Sequence, residues 1–470
     1  MKIAGVEIKG ISCNSKSVGS GFAFVAVKGN SGDGNDYIGE ALARGAGVIV
    51  TEKGSGNAAR GKGHRAAFLK VENCRKFLAE SCAQFYGYPS RGMRVCGVTG
   101  TNGKTTISYL IEAISEKLGR GCGVIGTVNY RFGGRRIAAS NTTPGPVELQ
   151  SLLARMRGHG MKYCVMEVSS HALAQERVLG VDFKEAIFTN LTQDHLDYHD
   201  NMEEYFSAKK RLFGLLPSSG TAIINNDDPY GRRLKKTSCR LITYGIKNKS
   251  DFMAKGTFSS LRGSEFVLSG EGRETNIRTR LIGRHNIYNI LAAVSWARAE
   301  GIAMKRVKEA VEGLRNVPGR LEKMKGGKDI FVDYAHTPDA LYNVLGSLRP
   351  LVKGRLVVVF GCGGERDSKK RPLMGRIASR LADFVYLTDD NPRSEDPVKI
   401  IRDIRSGMPD DNYLVIPDRY KAIKDGIKSL KGGDCLVVAG KGHEEYQLIK
   451  GRKRHFSDRE AVNKCLSRKR

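Results

Sequence analysis

The sequence has no run of about 18 consecutive apolar residues, the length a helix needs to cross a bilayer, so no membrane insertion is expected. Residues 1–7 also lack the apolar stretch of a secretory leader, and the chain reads as cytoplasmic. Its 10 cysteines include no Cys-x-x-Cys pair and no metal-ligand spacing, which argues against structural zinc and for reduced thiols. Acidic residues are in short supply: 49 Asp and Glu face 78 Lys and Arg, leaving a formal net charge of +29. That surplus is spread along the chain, and only 450–454 and 468–470 are densely basic. No helix-turn-helix, RNA-recognition or zinc-finger signature accompanies it, so the charge fits anionic small molecules and no specific nucleic acid. No segment has the biased composition of a disordered tail, and no repeat shorter than a domain is found.

What is present centres on Gly97-Val98-Thr99-Gly100-Thr101-Asn102-Gly103-Lys104-Thr105-Thr106. An apolar run at 93–96 leads in, and a helix-patterned segment at 107–118 leads out. A strand, a glycine-rich turn and a helix start present main-chain N–H groups and the positive end of the helix dipole to an anion. Lys104 adds a point charge, and the Thr105 hydroxyl can hold Mg²⁺ against phosphates. The chain therefore reads as a binder of a nucleoside triphosphate, ATP. The strict Walker spacing asks for glycine six residues before the lysine, and that position is Val98.

At 470 residues the chain exceeds a single hydrophobic core. The expected class is α/β in three domains: a smaller N-terminal α/β unit (1–90), a central P-loop-type ATPase on a mostly parallel sheet (91–316), and a Rossmann-like C-terminal unit (317–470). Central strands are expected at 94–98, 123–127, 163–168, 186–190 and 220–225, with extra β structure at 237–282 and a helix at 286–300. The C-terminal unit alternates strands at 328–333, 355–361, 384–388, 413–416 and 434–439 with helices at 339–348, 369–380, 397–404 and 419–429. Such alternation implies ligand sites at the carboxyl ends of parallel strands. A helix at 75–86 is broken by Tyr88-Pro89-Ser90, which reads as a linker.

Several polar residues fall at those strand ends. Glu167 follows the run 163–166 near its strand's carboxyl end and can bind magnesium or stand as a solvated carboxylate. His195 follows Asp194 and precedes Asp197, which fits either a second metal position or a polar cap. Gly361-Cys362-Gly363-Gly364-Glu365-Arg366 is a second glycine-rich turn suited to carboxylate or phosphate. In Asp390-Asn391-Pro392-Arg393 the proline stiffens the loop, Arg393 offers a planar fork for a carboxylate, and Asp390 and Asn391 offer oxygens to an ammonium. Gly440-Lys441-Gly442-His443-Glu444 adds a further acidic acceptor in Glu444.

In order and wording these segments resemble the Mur ligase family over essentially the whole chain. The resemblance implies amide-bond formation through an acyl phosphate, in peptidoglycan precursor synthesis. It implies that Gly100, Thr101, Asn102, Gly103, Lys104, Thr105, Thr106, Asn190, Asn286, Arg320 and Asp333 serve ATP. Two Mg²⁺ sites are implied, one using Thr105 and Glu167 and the other His195, with Lys209 carried as a CO₂-derived carbamate. Ser15, Asn141, Thr142, Thr143, Ser169, Gln175 and Arg177 are implied to hold UDP-N-acetylmuramoyl-L-Ala-D-Glu. Arg366, Asp390, Asn391, Pro392, Arg393, Gly440 and Glu444 are implied to hold the acceptor amino acid.

A pocket with both arginine and acids suits a distal zwitterion, which meso-diaminopimelate has and lysine lacks. Arg393 facing a lysine side chain would be an unpaired like charge. Lysine as acceptor, a folylpolyglutamate-synthetase-like ligase and a nucleic-acid-binding ATPase stand as alternatives. The protein is expected to act as a monomer. The N-terminal domain departs from the pattern: Asn14-Ser15-Lys16 stands where relatives have Asp-Ser-Arg, and 28–34 replaces a more typical uracil-side loop.

Overall fold

The computed structural model describes residues 1–29, 32–53, 66–196 and 198–467. Parts of the 28–34 loop (Asn30 and Ser31), Asp197 beside His195, and the basic residues 468–470 lie outside the described residues. The chain divides into two compact units, one of residues 1–97, 120–186 and 208–220, the other of 98–119, 187–207 and 221–470.

The first unit opens with a 4-stranded parallel sheet, Gly10–Ser12, Phe22–Val25, Val48–Thr51 and Ala67–Lys70. Strand alternation turns Ala23, Val25, Val48 and Val50 toward Leu78 and Cys82 of the helix Cys74–Phe85. Phe24 and Ile49 point the other way, onto Ala41 and Leu42 of the helix Ile38–Ala43. Apolar residues on both faces are the mark of a covered parallel sheet. The stretch read as a linker is instead a packed corner. Tyr88 takes φ +48°, Pro89 opens a 3-10 turn, and buried Ser90 donates to Asp182 Oδ2 at 3.2 Å while accepting from the Asp182 main-chain N–H at 3.1 Å.

The largest sheet has 11 strands in the order Arg135–Ala138, Asn129–Phe132, Cys122–Ile125, Tyr163–Glu167, Arg94–Thr99, Phe183–Phe188, Thr221–Asn225, Arg240–Gly245, Phe252–Ser260, Gly263–Gly270, Arg273–Thr279. The last strands form an antiparallel meander, the extra β structure expected at 237–282. In the second unit, the helix Lys104–Lys117 buries Ile107, Leu110, Ile111 and Ile114, the i, i+3, i+4, i+7 stripe of an amphipathic helix.

A 6-stranded sheet runs Glu322–Lys323, Asp329–Asp333, Cys435–Ala439, Leu356–Phe360, Phe384–Leu387, Tyr413–Val415, parallel except at its first strand. Leu356, Val358 and Phe360 face one core, and Val357 and Val359 the other. Because the parallel strands share one direction, the loops after Asp333, Phe360, Leu387 and Ala439 emerge along one edge, where such folds bind ligands. Among the elements to which the sequence carried no assignment are the helices Pro146–Gly158, Met202–Gly214, Met304–Gly313 and Asp458–Ser467, and the hairpin of Tyr446–Ile449 with Arg452–His455.

Candidate active site

In the second unit the strand ending at Thr99 feeds the phosphate loop directly. Gly100 takes φ +143°, and a Cβ there would collide with the Thr189 hydroxyl, so only glycine fits. Gly103 caps the following helix with φ +94° and without a side-chain cap, and Lys104, Thr105 and Thr106 form its first turn. Lys104 Nζ folds back onto the carbonyls of Gly100 and Thr101 at 2.9 and 2.8 Å. The loop is braced by the segment after Phe183–Phe188. Thr101 N donates to Asn190 O at 2.9 Å, Asn102 N to Asn190 Oδ1 at 3.0 Å, and Asn190 Nδ2 returns to Asn102 O at 3.2 Å.

Residues far along the chain meet this loop. Arg320 Nη2 donates to Thr105 Oγ1 at 3.1 Å, and Asn102 Nδ2 donates to Asp339 Oδ2 at 2.6 Å. Asn286 is buried between Ile282 O (2.8 Å) and Asn289 Nδ2 (3.1 Å). Asp333, expected at the ribose, accepts main-chain N–H groups of Leu321 (2.6 Å) and Ala335 (2.7 Å). Burial pushes its carboxyl up, and Arg320 and those N–H groups oppose the shift. His195 takes φ +56° and sits with Nε2 3.4 Å from Asp194 Oδ2. Burial works against the Asp194 charge, yet His195 and Lys370 hold its carboxyl below the ordinary value. Among the described residues no three His, Cys, Asp or Glu side chains gather into a metal-binding group.

In the first unit Glu167 is buried at its strand end and accepts from Thr127 N (3.1 Å) and Thr127 Oγ1 (2.9 Å). Thr142 reaches the same Thr127 hydroxyl at 3.0 Å. Thr143 Oγ1 donates to Glu167 O (2.8 Å) and accepts from Ser169 N (3.0 Å), while Ser169 caps the helix Ser170–Ala174. Arg177 ties Thr143 O (2.9 Å) to Gln175 Oε1 (2.7 Å). The structure thus brings together Thr142, Thr143, Glu167, Ser169, Gln175 and Arg177. Asn141 is exposed, its carbonyl accepting from Tyr130 Oη at 2.6 Å. Ser15 is buried and donates to Glu40 Oε2 at 2.6 Å, a partner the sequence did not flag. Lys209 is 1% exposed on the helix Met202–Gly214.

The residues expected to hold the acceptor follow strands of the 6-stranded sheet at its carboxyl edge. A Cβ at Gly361 would strike the Thr388 carbonyl and one at Gly364 the Pro392 carbonyl, so these glycines let the 388–393 loop close on its neighbour. Arg393 takes φ +56°, and its Nη1 donates to the Gly364 carbonyl. Its main chain joins the hairpin: Arg393 N donates to Leu448 O (2.9 Å) and Lys450 N to Arg393 O (2.7 Å). Asn391 Nδ2 donates to Glu444 Oε2 at 3.0 Å, and Tyr334 Oη lies 3.4 Å from Glu444 Oε1. A Cβ at Gly440 would meet Asp390 Oδ2 at 2.5 Å. Arg366 and Arg393 both lie close enough to Tyr446 to favour its ionised form, against the burial that pushes its hydroxyl up.

Asp390 and Asn391 have a further neighbour. The oxygens of Asp390 and Asn391 already face an internal cation: Lys441 Nζ donates to Asn391 Oδ1 at 3.1 Å and stands 3.6 Å from Asp390 Oδ1.

Three family profiles match the chain: "Mur ligase family, catalytic domain" over 7–86, "Mur ligase middle domain" over 98–297 and "Mur ligase, glutamate ligase domain" over 319–442. The UDP-N-acetylmuramoyl-L-alanyl-D-glutamate--2,6-diaminopimelate ligase of Clostridium botulinum is 43% identical over 98% of this chain and 95% of its own length. The chain belongs to the Mur ligase family. The like-named ligase of Aquifex aeolicus is 44% identical, over 98% of this Mur ligase and 94% of its own length. A solved structure titled as the same ligase is 33% identical, with TM-score 0.69, covering 99% of this chain and 98% of that one.

Tyr334, Lys441 and Gln447 contact Glu444, Asn391 and Asp390 at the same edge, and sequence inspection gave them no role. Gln447 Nε2 donates to Asp390 O at 2.9 Å, and Lys441 is 0% exposed. A lysine between two glycines directly after a buried strand is the one signal that pointed inward.

Proposed function

We propose that this Mur ligase joins meso-2,6-diaminopimelate to UDP-N-acetylmuramoyl-L-Ala-D-Glu, with ATP cleaved to ADP and phosphate. The observation that carries the reading is the acceptor edge, where a guanidinium (Arg393) and acids (Asp390, Glu444) emerge from the loops of the two parallel strands that flank Leu356–Phe360, and Asn391 bridges to Glu444. A ligand with a carboxylate and an ammonium on one carbon matches that pairing, and a bare alkylammonium leaves the arginine unmatched.

The residues of the chain divide the work. Lys104 and the first-turn N–H groups of Lys104–Lys117 hold the β- and γ-phosphates. Arg320 neutralises phosphate charge beside Thr105, and Asn286 and Asp333 line the nucleoside side. Thr143, Ser169, Gln175 and Arg177, with Ser15 and Asn141–Thr142, hold the muramoyl dipeptide. Its terminal carboxylate attacks the γ-phosphoryl group and ADP leaves. The acceptor amine, oriented by Arg393, Asp390, Asn391 and Glu444, then attacks the acyl phosphate, and the tetrahedral adduct expels phosphate as the amine loses its proton.

The hard oxygen donors Thr105 and Glu167 suit one magnesium, and His195 a second. When bound, magnesium screens the triphosphate from the attacking carboxylate. Lys209, 1% exposed, is a candidate for carbamylation, because CO₂ capture by its neutral amine yields an oxygen-rich anion suited to magnesium. Ten free thiols accord with a reducing cytoplasm, where we place the enzyme as a monomer.

The test is phosphate release with the muramoyl dipeptide present and each candidate amino acid supplied in turn. Turnover is expected with meso-diaminopimelate and not with lysine. Equal turnover with lysine would overturn the acceptor assignment, and stimulation by DNA or RNA without an amino acid would overturn the ligase reading.

A further inference from the structure

Lys441 is 0% exposed, and its counter-ions Asp390 and Glu444 are 9% and 18% exposed. Its position follows from the chain on either side. Gly440 and Gly442 take φ +117° and +54°, and a Cβ on Gly442 would press at 2.7 Å on the Tyr334 side chain. This glycine-flanked turn after Cys435–Ala439 aims the lysine inward. Its ammonium touches Asn391 Oδ1 (3.1 Å), Glu444 Oε2 (3.4 Å) and Asp390 Oδ1 (3.6 Å).

We infer that Lys441 is a positioning residue for the acceptor amino acid: its buried ammonium fixes Asp390, Asn391 and Glu444 in the arrangement that receives the substrate's distal ammonium and carboxylate. The inference rests on the acceptor reading above. Two carboxyls converging on one buried site repel each other, and a buried charge without a partner is strongly unfavourable. Burial pushes the Glu444 carboxyl up, Lys441 pulls it back, and Asp390 adds to the rise. With both acids ionised, Lys441 leaves the trio one surplus negative charge, which suits a single incoming ammonium. Lys441 also sets the Asn391 amide. Its oxygen accepts from Lys441 Nζ and from Leu448 N (3.0 Å), and this turns its NH₂ toward Glu444 Oε2 (3.0 Å). Without the lysine, the amide oxygen keeps only the Leu448 N–H of its two donors.

The experiment is steady-state kinetics of the full-length enzyme carrying Lys441→Met, which keeps most of the side-chain volume and removes the charge. The KM for the acceptor is expected to rise by about tenfold or more. Those for ATP and the muramoyl dipeptide should stay within about twofold. In Lys441→Ala, added propylammonium should recover part of the acceptor affinity, and 1-propanol should recover none. An equal rise in all three KM values, or an unchanged acceptor KM, would overturn the inference. Should Lys441→Met fail to fold, thermal unfolding of Lys441→Ala decides: stabilisation by propylammonium over 1-propanol supports the role, and equal responses refute it. A wild-type enzyme that rejects diaminopimelate counts against the acceptor reading alone, and Lys441→Met is then judged on the amino acid that does turn over.

Discussion

Arg320 donates to the Thr105 hydroxyl at 3.1 Å while its guanidinium lies 4.5 Å above the Tyr334 ring. Thr105 belongs to the first turn of the phosphate-loop helix, and Tyr334 leads toward Glu444. Stacking holds the guanidinium flat, so its remaining N–H donors keep a fixed direction. Arg320→Lys keeps the charge and loses the fork. It is expected to raise the KM for ATP about tenfold with a smaller change for the acceptor, measured as phosphate release against ATP concentration.

Lys209→Ala should be inactive, because an unmodified methyl leaves no oxygen donor at that buried place. Acetate or formate should restore part of the rate if the carbamate is the working group. Full activity without added carboxylate would remove Lys209 from the reaction, and mass spectrometry of the intact wild type would read the modification directly.

Arg393→Ala removes the only fork of the acceptor loop. Loss of a buried charge-assisted pair costs about 2–5 kcal/mol, which is about thirtyfold or more in kcat/KM for diaminopimelate. The KM for ATP should be nearly unchanged. Equal losses for both substrates would mean that the substitution loosened the hairpin rather than the ligand.

Acid stability should depend on Asp434. Burial opposes its charge, but the main-chain N–H groups of Lys431 and Arg355 and the Arg355 guanidinium hold the carboxyl at about 2. A carboxyl depressed in the folded state adds stability above its unfolded value of about 4, and the benefit is lost as pH falls from there toward 2. Asp434→Asn should therefore lower the urea midpoint at pH 7 and change it little near pH 2. An equal loss at both pH values would assign the effect to packing.

The phosphate loop was legible because its chemistry is local: strand, glycines, Lys104 and helix follow one another in ten residues. The parallel alternation of the C-terminal unit was legible for the same reason, since Leu356–Phe360 and Cys435–Ala439 are continuous apolar runs. Lys441 was not, because its meaning depends on Asp390 and Asn391, which lie some fifty positions upstream and meet it only in the folded sheet. The hairpin at 446–455 was missed because Lys450–Arg454 reads as a charge cluster, and its strand Arg452–His455 is exposed on every residue. Asp458 was passed over for a related reason. It forms a fully buried pair with Arg419 at 2.7 Å, and nothing in either local sequence distinguishes it from a surface charge.

The carbonyls of Thr388 and Pro392 rest where side chains at Gly361 and Gly364 would begin. The backbone that displays Arg393 is thus cast against a bare neighbour and has no room to shift sideways. Changing the diet of this ligase, in evolution or in the laboratory, is therefore a matter of swapping tips on a fixed rail: new side chains at 390 and 391 must change together with their partner Lys441, whereas a longer or rerouted loop would first need a different mould.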